Sequence, residues 1–167
     1  MSGGVLVAGI GNIFLSDDGF GVEVARRLVA EPMPPGVKVA DYGIRGVHLA
    51  YELLDGYDGL VLVDAVPMGE EPGTVAVIKP GPGGGAAAGC DAPVMDAHNM
   101  SPDVVLATLF RLGGTVDQIY VVGCQPASLD EGIGLTPPVA GAVDSAVELC
   151  RQLIADIAKP LGEVARK

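Results

Sequence analysis

Gly9-Ile10-Gly11-Asn12-Ile13-Phe14-Leu15-Ser16-Asp17-Asp18-Gly19-Phe20-Gly21 follows a short apolar run, Val5 to Ala8, and leads into a segment with helical periodicity. The unbroken apolar run predicts a strand buried on both faces. The quoted stretch is then a strand-to-helix turn, the edge at which α/β proteins commonly bind ligands. A dinucleotide fingerprint beginning at Gly9 needs its third glycine at position 14, which is Phe14. A pyrophosphate would also meet Asp17 and Asp18 near the helix N-terminus, where carboxylates repel it and compete for the free N–H groups. The turn suits a cation or a proton transfer rather than a phosphate.

Working outward, Val5–Gly9 is the first expected strand. The helix behind the turn runs from about Gly19 to Ala30, with Val24, Ala25, Leu28 and Val29 on one face. Glu31-Pro32-Met33-Pro34-Pro35-Gly36 stops it. A second strand is expected at Val37–Asp41, a helix over Gly46–Leu54 carrying Val47, Ala50, Leu53 and Leu54, and a third strand at Leu60–Asp64. Only Ala65 to Gly73 separate that strand from the next, Thr74–Lys79. That is too short for a helical crossover, so the fourth strand should run antiparallel to the third.

The Gly-, Pro- and Ala-rich stretch from Pro80 to Ala97 reads as a mobile loop. Ser101-Pro102-Asp103 then opens a well-buried helix, with Ser as N-cap, Pro in the first turn and an acid at the positive end. Gln118–Cys124 is the fifth strand. Thr136-Pro137 repeats the cap-and-proline start for a final helix with an apolar stripe from Val139 to Ile157. The expected fold is a three-layer α/β/α sandwich around a five-stranded mixed, mostly parallel sheet. It forms one domain over residues 1–158, and residues 159–167 are expected to fray.

Composition narrows the function. The chain has 167 residues, long enough to bury roughly 70% of its unfolded surface. Its formal charge of −11 comes with scattered basic residues, so it lacks the footprint of a nucleic-acid binder and favours basic segments or cations instead. The N-terminus has neither a basic segment nor an apolar stretch of signal-peptide type, and no apolar run is long enough to cross a bilayer. Cys90, Cys124 and Cys150 are odd in number, widely spaced and without a CxxC pair, which suits reduced thiols. A cytoplasmic protein, with no membrane or nucleic-acid partner, is expected.

Several residues could carry chemistry. One of Asp17 and Asp18 can cap the helix while the other points outward. Asp64 ends the buried run Val61-Leu62-Val63 and either caps a turn or faces the crevice at the carboxyl edge of the sheet. His98 stands in a loop before the Ser101 helix, whereas His48 falls on the short second helix and reads as ordinary. Cys124 reads as a small buried residue rather than a nucleophile, with no histidine near it in the pattern. No GxSxG elbow, phosphate-binding glycine-Lys-Ser/Thr loop or HExxH helix is present.

The Gly9–Gly21 signature resembles the opening motif of the hydrogenase maturation proteases, endopeptidases that trim the large-subunit precursor of nickel–iron hydrogenases. The similarity extends to about position 150. The strand-end Val63-Asp64-Ala65 matches the family's second acidic ligand, and His98 matches its metal-binding histidine. Asp41-Tyr42-Gly43-Ile44-Arg45-Gly46 occupies the place of a turn that is Asp-Gly-Gly-Thr in many relatives. Gly123-Cys124-Gln125-Pro126, with Gly134-Leu135-Thr136 after it, is a further match.

The resemblance implies that Asp18, Asp64 and His98 hold a nickel ion carried by the substrate, other divalent metals being able to substitute. Carboxylate oxygen and imidazole nitrogen are suitable ligands. Asp18 or Asp41 would then serve as the base. It implies a hydrogenase large-subunit precursor as partner, and a monomer is expected by default. Arg45 can pair with Asp41, with Asp18 or with a substrate carboxylate. Two other readings stay open at this point: a non-enzymatic nickel-binding assembly module, and a metal-independent acid protease using Asp18 and Asp64 as a pair.

Overall fold

A computed structural model of the protein describes residues 4–79 and 102–158. The expected loop at 80–97, the Ser101 cap, His98, Cys90 and the tail from 159 lie outside the described residues. Among these residues five strands form one sheet: β1 (Gly4–Ile10), β2 (Val37–Gly43), β3 (Tyr57–Ala65), β4 (Val75–Ile78) and β5 (Gln118–Cys124). Their order is β2-β1-β3-β5-β4, with β4 alone antiparallel. The fourth strand therefore runs opposite to β3, as its short link requires, but it does not pair with it. β5 lies between them, and β4 forms the edge.

The α-helices among the described residues are α1 (Phe20–Val29), α2 (Gly46–Leu53), α3 (Pro102–Arg111), the single turn α4 (Pro137–Ala140) and α5 (Val143–Ala158). Strand alternation divides the core in two. Val5, Val7, Val61 and Val63 pack on one face against Phe20, Val24 and Leu28 of α1 and against α5. Leu6, Ala8, Leu60 and Leu62 pack on the other against Leu49, Ala50 and Leu53 of α2 and Val105, Leu106 and Leu109 of α3. This is the expected three-layer α/β/α sandwich. No helix among the described residues is long and apolar enough to cross a membrane.

Three local expectations are corrected. Val29, the last residue of α1, is exposed, although it lies one turn beyond the buried Ala25. On α2 the buried stripe is Gly46, Leu49, Ala50 and Leu53, at i, i+3, i+4 and i+7, so Val47 and Leu54 face outward. The final helix is broken at Gly141 and Ala142, which separate α4 from α5.

α1 approaches the sheet unusually closely. A Cβ on Gly9 would lie 2.1 Å from the Gly21 carbonyl oxygen, and one on Gly21 would lie 2.0 Å from that of Val63. Two glycines thus let the first turn of α1 rest directly on the backbones of β1 and β3. That contact sets the height of the preceding turn above the carboxyl edge of the sheet.

Candidate active site

In the order β2-β1-β3 the chain leaves β1 to one side and returns to pair on the other, so the β1/β3 boundary is the switch point at which ligands bind in such sheets. Asp18 comes from the turn after β1, and Asp64 is the penultimate residue of β3. Gly11 lies between them: its Cβ position is 1.9 Å from the Asp18 carbonyl oxygen and 3.5 Å from Asp64 Oδ1. With φ of 132° Gly11 also has a backbone conformation that other residues rarely adopt. The glycine is required there by both conformation and space.

The two carboxyls share one electrostatic environment. Asp18 Oδ2 accepts the Asn12 N–H at 2.7 Å, and Asp64 Oδ1 accepts the N–H of Ala65 at 2.8 Å. Burial raises the Asp18 carboxyl, and the hydrogen bond from Asn12 only partly opposes that. Asp64 is buried and lies well above the usual carboxylate range, first through desolvation and then through the charge of Asp18. Two neighbouring acids that resist joint ionisation form an oxygen donor set whose repulsion a divalent cation would relieve. Among the described residues no third acid, histidine or cysteine joins them. The remaining expected ligand, His98, lies outside those residues.

Asp41 has different company. It aligns with Gly9 two residues before the end of β2, with Arg26 Nε 3.8 Å and Arg45 Nη2 4.0 Å from its carboxylate oxygens. Arg45 also donates to the Asp41 and Tyr42 carbonyls, which fixes the turn. Of the partners considered for Arg45, the structure gives it Asp41. His48 is exposed on α2. Cys124 is buried, and its thiol is pushed up to about 11 by burial and by the charge of Asp17, as expected of a packing residue rather than a nucleophile.

Asp17 has a role that sequence reasoning missed. It is fully buried and caps no helix: the position before α1 is Gly19, with no side-chain cap. Its Oδ2 accepts the N–H groups of Ala127 and Ser128 and the Thr136 hydroxyl, and its Oδ1 accepts the Thr136 N–H at 2.7 Å. Burial raises this carboxyl, but the four hydrogen bonds outweigh it and hold the group below its ordinary value. Thr136 accordingly points its hydroxyl at Asp17 instead of capping α4. Further bonds between Ser16 and Gly132, Gly132 and Phe14, and Ser16 and Asp130 join the same two loops. The recurrence of Thr136 at a helix start was the available signal, and it read as a cap.

Comparison with known proteins identifies the family. Residues 22–152 match the family model described as HycI, hydrogenase maturation protease. The hydrogenase expression/formation protein HupD of Rhodobacter capsulatus is 34% identical over 152 residues, 89% of this chain and 70% of that protein. A putative hydrogenase maturation protease of Methanocaldococcus jannaschii is 33% identical, covering 87% of this chain and 92% of its own. The hydrogenase maturating endopeptidase HybD of E. coli superposes with a TM-score of 0.73 at 25% identity, over 92% of this chain and 93% of that one. Matched by the family model over most of its length, and more than 30% identical to the first two of these relatives, the chain belongs to the hydrogenase maturation proteases.

Proposed function

We propose that this protein is an endopeptidase that removes a C-terminal peptide from the large-subunit precursor of a nickel–iron hydrogenase once nickel has been inserted. The family membership supports the peptidase activity and the class of substrate. The convergence of Asp18 and Asp64 at the β1/β3 edge is the observation that carries the metal-gated form of the reading. In it, Asp18, Asp64 and His98 receive the nickel of the substrate, and other divalent metals can substitute there.

Docking of the substrate-borne ion sets the scissile peptide beside the two carboxylates. A water adds to the carbonyl carbon, the C–N bond breaks, and the proton lost by the water passes to the departing amine. Of the two candidate bases, Asp18 has the support of standing beside Asp64, while Asp41 is engaged by Arg26 and Arg45. Without a cation, the repulsion between Asp18 and Asp64 opposes the charged pair, so precursor lacking nickel offers nothing to draw the site together.

The test is to incubate nickel-loaded and nickel-free precursor with the protein and to read the intact mass of each. Loss of a C-terminal peptide from the loaded form alone is expected. Cleavage of both forms would replace metal gating by a carboxylate pair acting without metal. Cleavage of neither, with nickel retained on the protein, would reduce it to an assembly module.

A further inference from the structure

A cavity of about 240 Å³ opens directly beside Asp64, lined by that residue together with Val66, Pro67, Ile78, Pro102 and Val121, with the exposed Asp103 also contributing. Its origin lies in the register of the sheet. Asp64 pairs with Gly123, and Gly123 with Ala76, so the row that continues from the carboxylate toward the edge carries almost no side chain. Val66 and Ile78 lean over the bare Gly123, whose Cβ position is 3.2 Å from Val66 and 3.5 Å from Ile78 Cδ1. The wall is held firmly. The Val66 N–H donates to the Cys124 carbonyl at 2.8 Å, and the Gln125 side-chain oxygen accepts the N–H groups of Met68 and Glu70. An apolar, pre-formed recess thus shares a wall with the buried acid of the candidate site.

We propose that this cavity holds a large apolar side chain of the precursor, from one of the two residues flanking the bond that is cut. The proposal rests on the peptidase reading above and gives it a sequence preference. Consecutive Cα atoms are about 3.8 Å apart, so a chain whose scissile carbonyl lies at Asp18 and Asp64 brings a flanking side chain to the mouth of the recess. Apolar walls reward burial of a leucine- to phenylalanine-sized group. The exposed carboxylate of Asp103, which also lines the recess, repels an acidic one. Val66 and Ile78 are then specificity-determining residues, and the Gln125 amide is a positioning residue that fixes the wall behind Val66.

The experiment uses nickel-loaded precursor carrying Leu, Ala, Asp or Lys at each flanking position in turn, with kcat/KM as the readout. At one of the two positions, Leu should exceed Ala by about tenfold or more, the scale set by a few methylenes in an apolar pocket, and Asp should be poorest. Val66→Phe, which fills the recess, should reverse the Leu-to-Ala ratio. Ile78→Ala, which enlarges it from the exposed edge strand, should move the optimum from Leu toward Phe. Equal rates across the panel at both positions, or a Lys optimum, would overturn the proposal, as would an unchanged Leu-to-Ala ratio in both variants. Failure to cut any precursor, the unaltered one included, overturns the peptidase reading itself and is told apart by its indifference to the flanking residue.

Discussion

Asp17 and Asp18 are adjacent in the chain and have opposite surroundings. Asp17 is saturated with donors, and among the described residues Asp18 has one. Asp17→Asn keeps the shape but turns part of the acceptor into an N–H group facing other donors. We expect it to lower stability by about 3 kcal/mol in urea unfolding at neutral pH. Because the folded Asp17 carboxyl lies below its unfolded value, its contribution is complete above the unfolded pKa and lost as pH falls through the folded one. The deficit of the variant should therefore shrink in acid.

Asp64 has the opposite sign. Its folded pKa lies above the unfolded one, so stability declines as pH rises from the unfolded value through the folded value. Asp64→Asn should abolish cleavage yet stabilise the protein by about 1 kcal/mol at neutral pH, seen as a raised Tm. Cleavage by the unaltered protein should fall on the acid side at a higher pH than an ordinary carboxylate would give. Loss of folded protein in Asp64→Asn would assign the residue a structural role instead.

At the scale of elements, the glycines of the opening signature act as spacers. Gly21→Ala would drive its methyl into the Val63 and Ile10 carbonyl oxygens, 2.0 and 2.6 Å from the Cβ position, and backbone cannot yield as a side-chain tip can. A loss of about 3 kcal/mol is expected, read by chemical denaturation, with the site displaced in whatever folds. Phe14 argues against a nucleotide-binding turn in the signature, yet the sequence alone does not reveal what the glycines touch. The fifth strand, Gln118–Cys124, is legible to the residue because its apolar run is bounded by Asp117 on one side and by Gln125 and Pro126 on the other. The α2 stripe is not, since Gly46, Val47, Leu49, Ala50, Leu53 and Leu54 offer two overlapping helical faces and only the neighbouring α3 selects one. The break between α4 and α5 at Gly141 is a backbone event beneath an apolar stripe that continues across it.

For the whole molecule, layers and strand directions followed from link lengths and periodicity, whereas strand order did not. A nine-residue link from Ala65 to Gly73 sets the direction of β4, but only long-range pairing decides that β5 enters between β4 and β3. The same limit applies to the site. Asp18 and Asp64 were both nameable, because each lies next to a strand that must be buried. That their charges act on one another follows from the switch point, which exists only once β1 and β3 are paired. The recess beside Asp64 was hidden for the same reason, since the small residues that continue its row, Gly123 and Ala76, come from two other strands.

The four bonds that Asp17 accepts span more than a hundred positions of sequence, from the first strand-to-helix turn to the segment ahead of α5. On a ribosome the two partners are made far apart in time. Until Thr136 has left the exit tunnel, the turn that carries Asp18 lacks the donors that its neighbour needs. The nascent chain thus lacks the finished turn through most of its synthesis, and a prematurely terminated product lacks it permanently. Completion of the turn that carries Asp18 therefore waits on a segment made late in synthesis.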